Sequence, residues 1–221
     1  MSRQVDAVAF SFTFKTNSMP ELTSFTKELI VQPFQDLIES EGHLWFDNGL
    51  PYNVNIFGIR SRTRNYGKFD DFLYCVYRDD WKDWHIDQFR CTTDAGLYYA
   101  MNPMNVEGTG ILVPSQYVGA YMLDRHNGKY PALCQRLGKV KAYRDDNRDN
   151  VMDMDEATIQ EGMFGANIHK TTKRQIDNVG KASAMCQVFF SSYEHDKKFI
   201  PVLRKSLSIF GNKFTYTLIQ D

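Results

Sequence analysis

Residues 162–189 read GMFGANIHKTTKRQIDNVGKASAMCQVF, and how they are interpreted governs the interpretation of the whole chain. His169 stands 17 residues ahead of Cys186, small residues (Ala182, Ser183, Ala184) lead into the cysteine, and an apolar run, 188–190, follows it. This spacing lets His169 and Cys186 meet across two neighbouring strands. The pairing has a chemical rationale. The thiolate is the reactive form of cysteine, and an adjacent imidazole both promotes deprotonation and later protonates the leaving group. A buried structural cysteine fits the same residues, because free cysteine is among the most buried residue types. Spacing alone leaves both readings open.

Outward from this stretch the sequence alternates like a β protein. Strands are predicted at 52–60, 72–77, 85–92, 110–113, 139–143 and 213–219, separated by charged or turn-rich pieces. Leu22, Phe25, Leu29, Ile30, Phe34, Leu37 and Ile38 recur at helical spacing and predict an amphipathic helix over 20–41, with Ser18 as N-cap and Pro33 as a candidate break. A strand-like segment, 5–14, precedes it, and a second helix is predicted over 199–210. The mixed stretch 115–136 reads as an insertion or lid. The expected class is mostly β with peripheral helices (α+β). Residues 1–45 form a strand and helix packing onto a main domain, 46–221, in a single-domain chain without repeats or a long linker.

Composition bounds the function classes. The 26 Lys+Arg balance 27 Asp+Glu to a formal charge of -1, so no global basic field draws nucleic acid or an anionic membrane. No apolar run is long enough to span a bilayer, and residues 1–8 lack a basic region followed by an apolar one, so a soluble protein without its own secretion signal is expected. Aromatic residues reach 14%, mostly Phe and Tyr, which favour pleated surfaces and groove linings. The four cysteines (Cys75, Cys91, Cys134, Cys186) form no CxxC pair, and neither a zinc site nor any other cofactor is predicted.

Five segments carry a resemblance: GIRS at 58–61, TTDAG at 92–96, RDDNRD at 144–149, NIH at 167–169 and SAMCQVF at 183–189. In this order they resemble the L,D-transpeptidase (YkuD-type) cysteine enzymes of peptidoglycan metabolism, in which a histidine precedes a Ser/Thr-x-Gly-Cys element, and most of all the phage-encoded relatives. The resemblance covers roughly residues 50–190. It implies an L,D-transpeptidase-like β-sandwich with an N-terminal helix, Cys186 as nucleophile, His169 as general base and acid, and the Lys170 backbone carbonyl as the group that orients the imidazole. Ser183 falls on the family's Ser/Thr position. The backbone N–H groups of Met185 and Cys186 would meet the oxyanion, with Gln187 and Asn167 near the substrate. Implied partners are peptidoglycan stem peptides and other phage virion proteins, with neither nucleic acid nor membrane. The implied location is the virion or the bacterial cell wall after synthesis in the host cytoplasm. Met185 replaces the family's glycine, and Gln187 stands near where an Arg or Asn often handles substrate. A second reading is therefore a catalytically degenerate virion or wall-binding protein.

Other signals have plainer explanations beside the sharper ones. Asp145, Asn147, Asp149, Asp153 and Glu156 fall at positions 1, 3, 5, 9 and 12 of a calcium loop, although Asn150 occupies the glycine position. A solvated acidic loop, salt-bridged through Arg144 and Arg148, is the alternative. Arg60, Arg62, Arg64 and Lys68 form a basic cluster that reads either as an anion site or as a solvated hairpin. Tyr98, Tyr99, Tyr117 and Tyr121 suit a groove or a core, and His85 and His126 read as structural.

Overall fold

The structure is a computed structural model that describes residues 24–171 and 178–221. The predicted strand at 5–14, the Ser18 cap and part of the basic loop 170–174 lie outside the described residues. Helix α1 (Ser24–Ser40) continues through Pro33 without a break. Its Val31 and Ile38 are buried against Phe57, Val76 and Ile219, whereas Leu29 and Ile30, counted in the predicted stripe, are exposed.

The strands follow as β1 (Asn55–Arg60), β2 (Asp71–Arg78) and β3 (Trp84–Thr92), then a short helix α2 (Leu97–Met101). Next come β4 (Thr109–Leu112), β5 (Ser115–His126), β6 (Tyr130–Gln135), β7 (Val140–Asp145), β8 (Gln160–Gly162), β9 (Ile168–Lys170) and β10 (Gln187–Phe189). A short helix α3 (Ser192–Glu194) runs through a π turn into α4 (Ile200–Phe210), and β11 (Phe214–Gln220) ends the described chain.

The class is mostly β with a few helices. The main sheet is a closed barrel in the order β1-β11-β5-β6-β9-β10-β3-β2, and β4-β7-β8 form a separate small sheet. The expected two-sheet sandwich is thus not what forms, because the main sheet closes on itself as a barrel. Closure follows from pairing: β1 bonds both β2 and β11, and β10 bonds both β3 and β9, so no strand of the main sheet is left with a free edge. Inside, Phe89, Phe189 and Phe199 pack ring to ring at 5.0 and 5.1 Å. Tyr216 also crosses the interior, where any side chain on Gly58 would overlap its ring, so this position of β1 requires glycine.

The segment 115–136 is not a lid. It is the β5–β6 hairpin, turned at Asn127 (φ 49) and Gly128 (φ 70), the two positive-φ positions that a tight hairpin needs. Nor is the basic cluster a single face. Arg60 is fully buried, while Arg62 pairs with exposed Asp221 at 3.5 Å. Arg60 donates to Thr93 Oγ1 (3.0 Å) and the Leu112 carbonyl (2.9 Å), and it lies 3.0 Å from the Asp94 carboxylate. Buried Asp71 accepts from the amides of Ser61 (2.8 Å) and Thr93 (2.6 Å). Two of the motif segments, GIRS and TTDAG, therefore meet in one buried ionic cluster.

Removing one partner from such a cluster leaves the others uncompensated in a low dielectric. Arg60→Met is expected to lower the unfolding free energy by about 3–5 kcal/mol in urea denaturation. A loss below about 1 kcal/mol, the range of an exposed pair, would show that the cluster does not hold the fold.

Candidate active site

Cys186 and His169 come together through the parallel pairing of β9 and β10, in which Val188 lies beside His169 and Gln187 beside Ile168. Cys186 immediately precedes β10, level with Asn167, whose carbonyl accepts from the Gln187 amide at 2.9 Å. Because side chains alternate along a strand, Cys186 and His169 face the same side, two residues out of step. Both line a cleft of about 1180 Å³ that also exposes Tyr130, Asn167 and Ala184.

The imidazole is held from one side. His169 Nδ1 lies 2.8 Å from the Lys170 carbonyl and 3.2 Å from the Tyr130 hydroxyl, which itself donates to the same carbonyl at 2.8 Å. A carbonyl only accepts, so Nδ1 carries the proton and Nε2 keeps its lone pair. The His126 ring stacks on His169 with centroids 3.9 Å apart. Asn167 donates through Nδ2 to His126 Nδ1 (3.1 Å) while its Oδ1 accepts from the Gln135 amide (2.9 Å). Asn167 thus positions the second histidine.

The turn before Cys186 is equally constrained. Ser183 is buried, its Oγ donates to the Cys186 carbonyl at 2.8 Å, and its own carbonyl accepts from the Gly96 amide at 2.9 Å. Ser183 therefore shapes the turn. Met185 is buried with its side chain over Gly110, where even a Cβ would overlap the methionine sulfur. Its φ is not positive, so the position has no conformational need for glycine. Gln187, expected near substrate, is fully buried and absent from the cleft lining, since the residue after Cys186 points the opposite way. Among the described residues, neither the Met185 nor the Cys186 amide has an acceptor.

Burial dominates the titrations. It pushes the Cys186 thiol up to about 11, against a smaller opposing effect of the Asn167 backbone amide. It pushes His169 down to about 3, helped by His126, while the bond to the Lys170 carbonyl works the other way. The resting pair is thus a thiol and a neutral imidazole. The Cys186 Sγ donates to the Gly165 carbonyl at 3.4 Å, and among the described residues no hydrogen bond links it to His169.

Sequence reasoning read His126 as structural and passed over Tyr130 and a supporting pair behind them. Asp196 bridges the Lys170 ammonium and His195 Nδ1 (2.9 Å), and burial holds His195 down at about 4. The Asn-Gly turn was the available signal, since it announces the hairpin that delivers His126 and Tyr130. Of the four tyrosines flagged earlier, Tyr99 lines the cleft, whereas Tyr117 and Tyr121 are core. His85 pairs with Asp79 at 2.8 Å.

The calcium spacing does not assemble a site. Asp145 is buried and accepts from the Tyr66 hydroxyl (2.7 Å), Asn147 donates to Asp153 (2.7 Å), and Asp149 accepts from the Val151 amide (2.6 Å). Among the described residues, no three or more His, Cys, Asp or Glu side chains converge as for a metal ion. Comparison of the chain with protein-family models, with curated proteins and with solved structures returns no match.

Two outcomes follow. Iodoacetamide should modify Cys186 before the buried Cys75, Cys91 and Cys134, at a rate rising about tenfold per pH unit from pH 7 to 10. A plateau near pH 7, read by peptide mass mapping, would instead reveal a resting thiolate. His169 and His195, at about 3 and 4, both lie below the unfolded value of about 6.5. The unfolded chain takes up their protons first, so stability should fall as the pH drops below about 6.5. The slope of the urea midpoint against pH should be shallower in His195→Gln; an unchanged slope would remove His195 from the linkage.

Proposed function

We propose that the protein is a cysteine-dependent acyltransferase or peptidase of the L,D-transpeptidase kind, phage-encoded and acting on peptidoglycan stem peptides. The observation that carries this reading is the His169–Lys170 geometry beside Cys186 in one cleft: Nδ1 tied to a backbone carbonyl, Nε2 left as a base. The five ordered motif segments support it. An L,D-transpeptidase-like fold, with its sheet closed into a barrel, belongs to the same proposal, as does action in the virion or at the cell wall, with or without other virion proteins.

In this reaction Cys186 Sγ attacks the peptide carbonyl as its proton passes to His169 Nε2. Because the thiol and imidazole are both neutral at rest, proton transfer accompanies attack. The Met185 and Cys186 amides receive the oxyanion. Collapse breaks the C–N bond, the departing amine takes the proton from Nε2, and a thioester remains on Cys186. An amine or water then attacks the thioester, gives its proton to Nε2, and the thiol is re-formed. An amine acceptor makes a transpeptidase, and water makes a peptidase.

One observation favours the second reading, a catalytically degenerate wall-binding or virion protein: the resting thiol bonds Gly165 and not His169. Incubation with muropeptides, followed by mass spectrometry of products and of intact protein, separates the two. The enzyme should give new muropeptides and a thioester adduct, both lost in Cys186→Ala and in His169→Ala. No product from the native chain, with turnover appearing in Met185→Gly, would establish the degenerate form. Equal product from Cys186→Ala would sink the cysteine mechanism.

A further inference from the structure

Among the described residues, the charged side chains that line the cleft are all basic. Its described lining includes Lys129, Arg136, Arg144, Lys170 and Lys181 and no Asp or Glu, in a chain whose formal charge is -1. Arg136 pairs with Asp124 (3.2 Å) and Lys170 with Asp196. Lys129, Arg144 and Lys181 have no ion-pair partner among the described residues. Lys181 Nζ sits 3.9 Å from the centroid of the Tyr98 ring.

Arg144 is the most firmly held of the three. It lies on β7 opposite Gly110 of β4. Its Nε donates to Gln160 Oε1 at 2.9 Å, and its guanidinium lies 4.8 Å from the Phe164 ring centroid. Gln160 is oriented in turn, because its Nε2 donates to Glu107. Nη1 reaches the open face of Gly110, the same face that receives the Met185 sulfur. Both Nη groups lack an acceptor among the described residues. A rigid fork of donors thus stands in the cleft wall beside the residue that precedes Cys186.

We propose that Arg144 is the substrate-carboxylate site of this cleft: its two Nη groups take a carboxylate of the acyl-donor peptide, and Lys181 adds attraction from the same wall. This rests on the acyl-transfer reading above and adds the residue that recognises the acidic substrate, on a strand remote in sequence from Cys186. Planar, two-point recognition suits arginine, and a lysine in its place keeps the charge but loses the fork.

The test uses the full chain carrying Cys186→Ala, titrated calorimetrically with L-Ala-γ-D-Glu-L-Lys-D-Ala and with the same peptide amidated at both free carboxylates. The acid form should bind about 10- to 100-fold tighter than the amide, the range of a hydrogen bond to a charged group. Arg144→Gln should abolish that ratio while leaving amide binding unchanged, which a merely structural role would not do, and Arg144→Lys should keep part of it. If the Gln variant does not fold, a several-fold reduction of the ratio in the Lys variant supports the site. Equal binding of the two peptides, no binding of either, or a ratio unchanged in the variants overturns it. So does Arg144-dependent binding of an oligothymidylate in place of the peptide. Arg144-dependent discrimination without Cys186-dependent product would sink the acyl-transfer reading alone, and product without discrimination would sink this site alone.

Discussion

The burial of Arg60 is the constraint on which the rest of the structure depends. A guanidinium removed from water needs acceptors for its nitrogens, and here each of the three nitrogens finds one, on pieces far apart in sequence. Thr93 and Asp94 follow β3, and Leu112 belongs to β4 of the small sheet. The consequences run outward along the chain. Two residues beyond Asp94, the Gly96 amide holds the Ser183 carbonyl, and Ser183 holds the carbonyl of Cys186. Two residues before Leu112, Gly110 receives Met185. The turn that presents the thiol and the wall against which it is packed are thus registered on one buried cation.

That rigidity has an electrostatic counterpart. The same burial that fixes His169 removes the water that would stabilise an imidazolium, and His126 stacked on it disfavours a second positive charge further. The thiol suffers in the opposite sense. An ion pair prepared in advance, the usual device for activating cysteine, is therefore disfavoured in this site at rest. What the arrangement does provide is a free lone pair on Nε2 and two backbone amides that have no acceptor among the described residues, groups of the kind that respond to charge developing on a carbonyl.

Much of the β character was legible in the sequence because alternation survives in strands such as β2 and β11, where one face is core. Helix α1 was legible for the same reason. Closure of the sheet was not, since it depends on β1 choosing β11 across most of the chain, a pairing without local signal. The Cys186–His169 pair was visible as spacing, but its surroundings were not. His126 and Tyr130 lie about 40 residues away, and they arrive through the pairing of β6 with β9, which the unassigned stretch concealed. Arg60 misled for a related reason. Neighbouring Arg62 and Arg64 suggested a solvated run, yet strand alternation sends Arg60 inward to charges that only the fold supplies.

Met185, the residue that most clouded the sequence reading, is accommodated by a glycine on another strand. The side chain before Cys186 is long, and the missing side chain of Gly110 on β4 leaves a slot that the methionine sulfur fills. The Arg144 guanidinium and the Met185 thioether thus lie over the same glycine. A cation therefore stands beside the turn before Cys186, from a different strand than the sequence order around Cys186 would lead one to examine. The near-neutral total charge concealed this, because neutrality of a whole chain says nothing about how its charges divide between a cleft and the remaining surface.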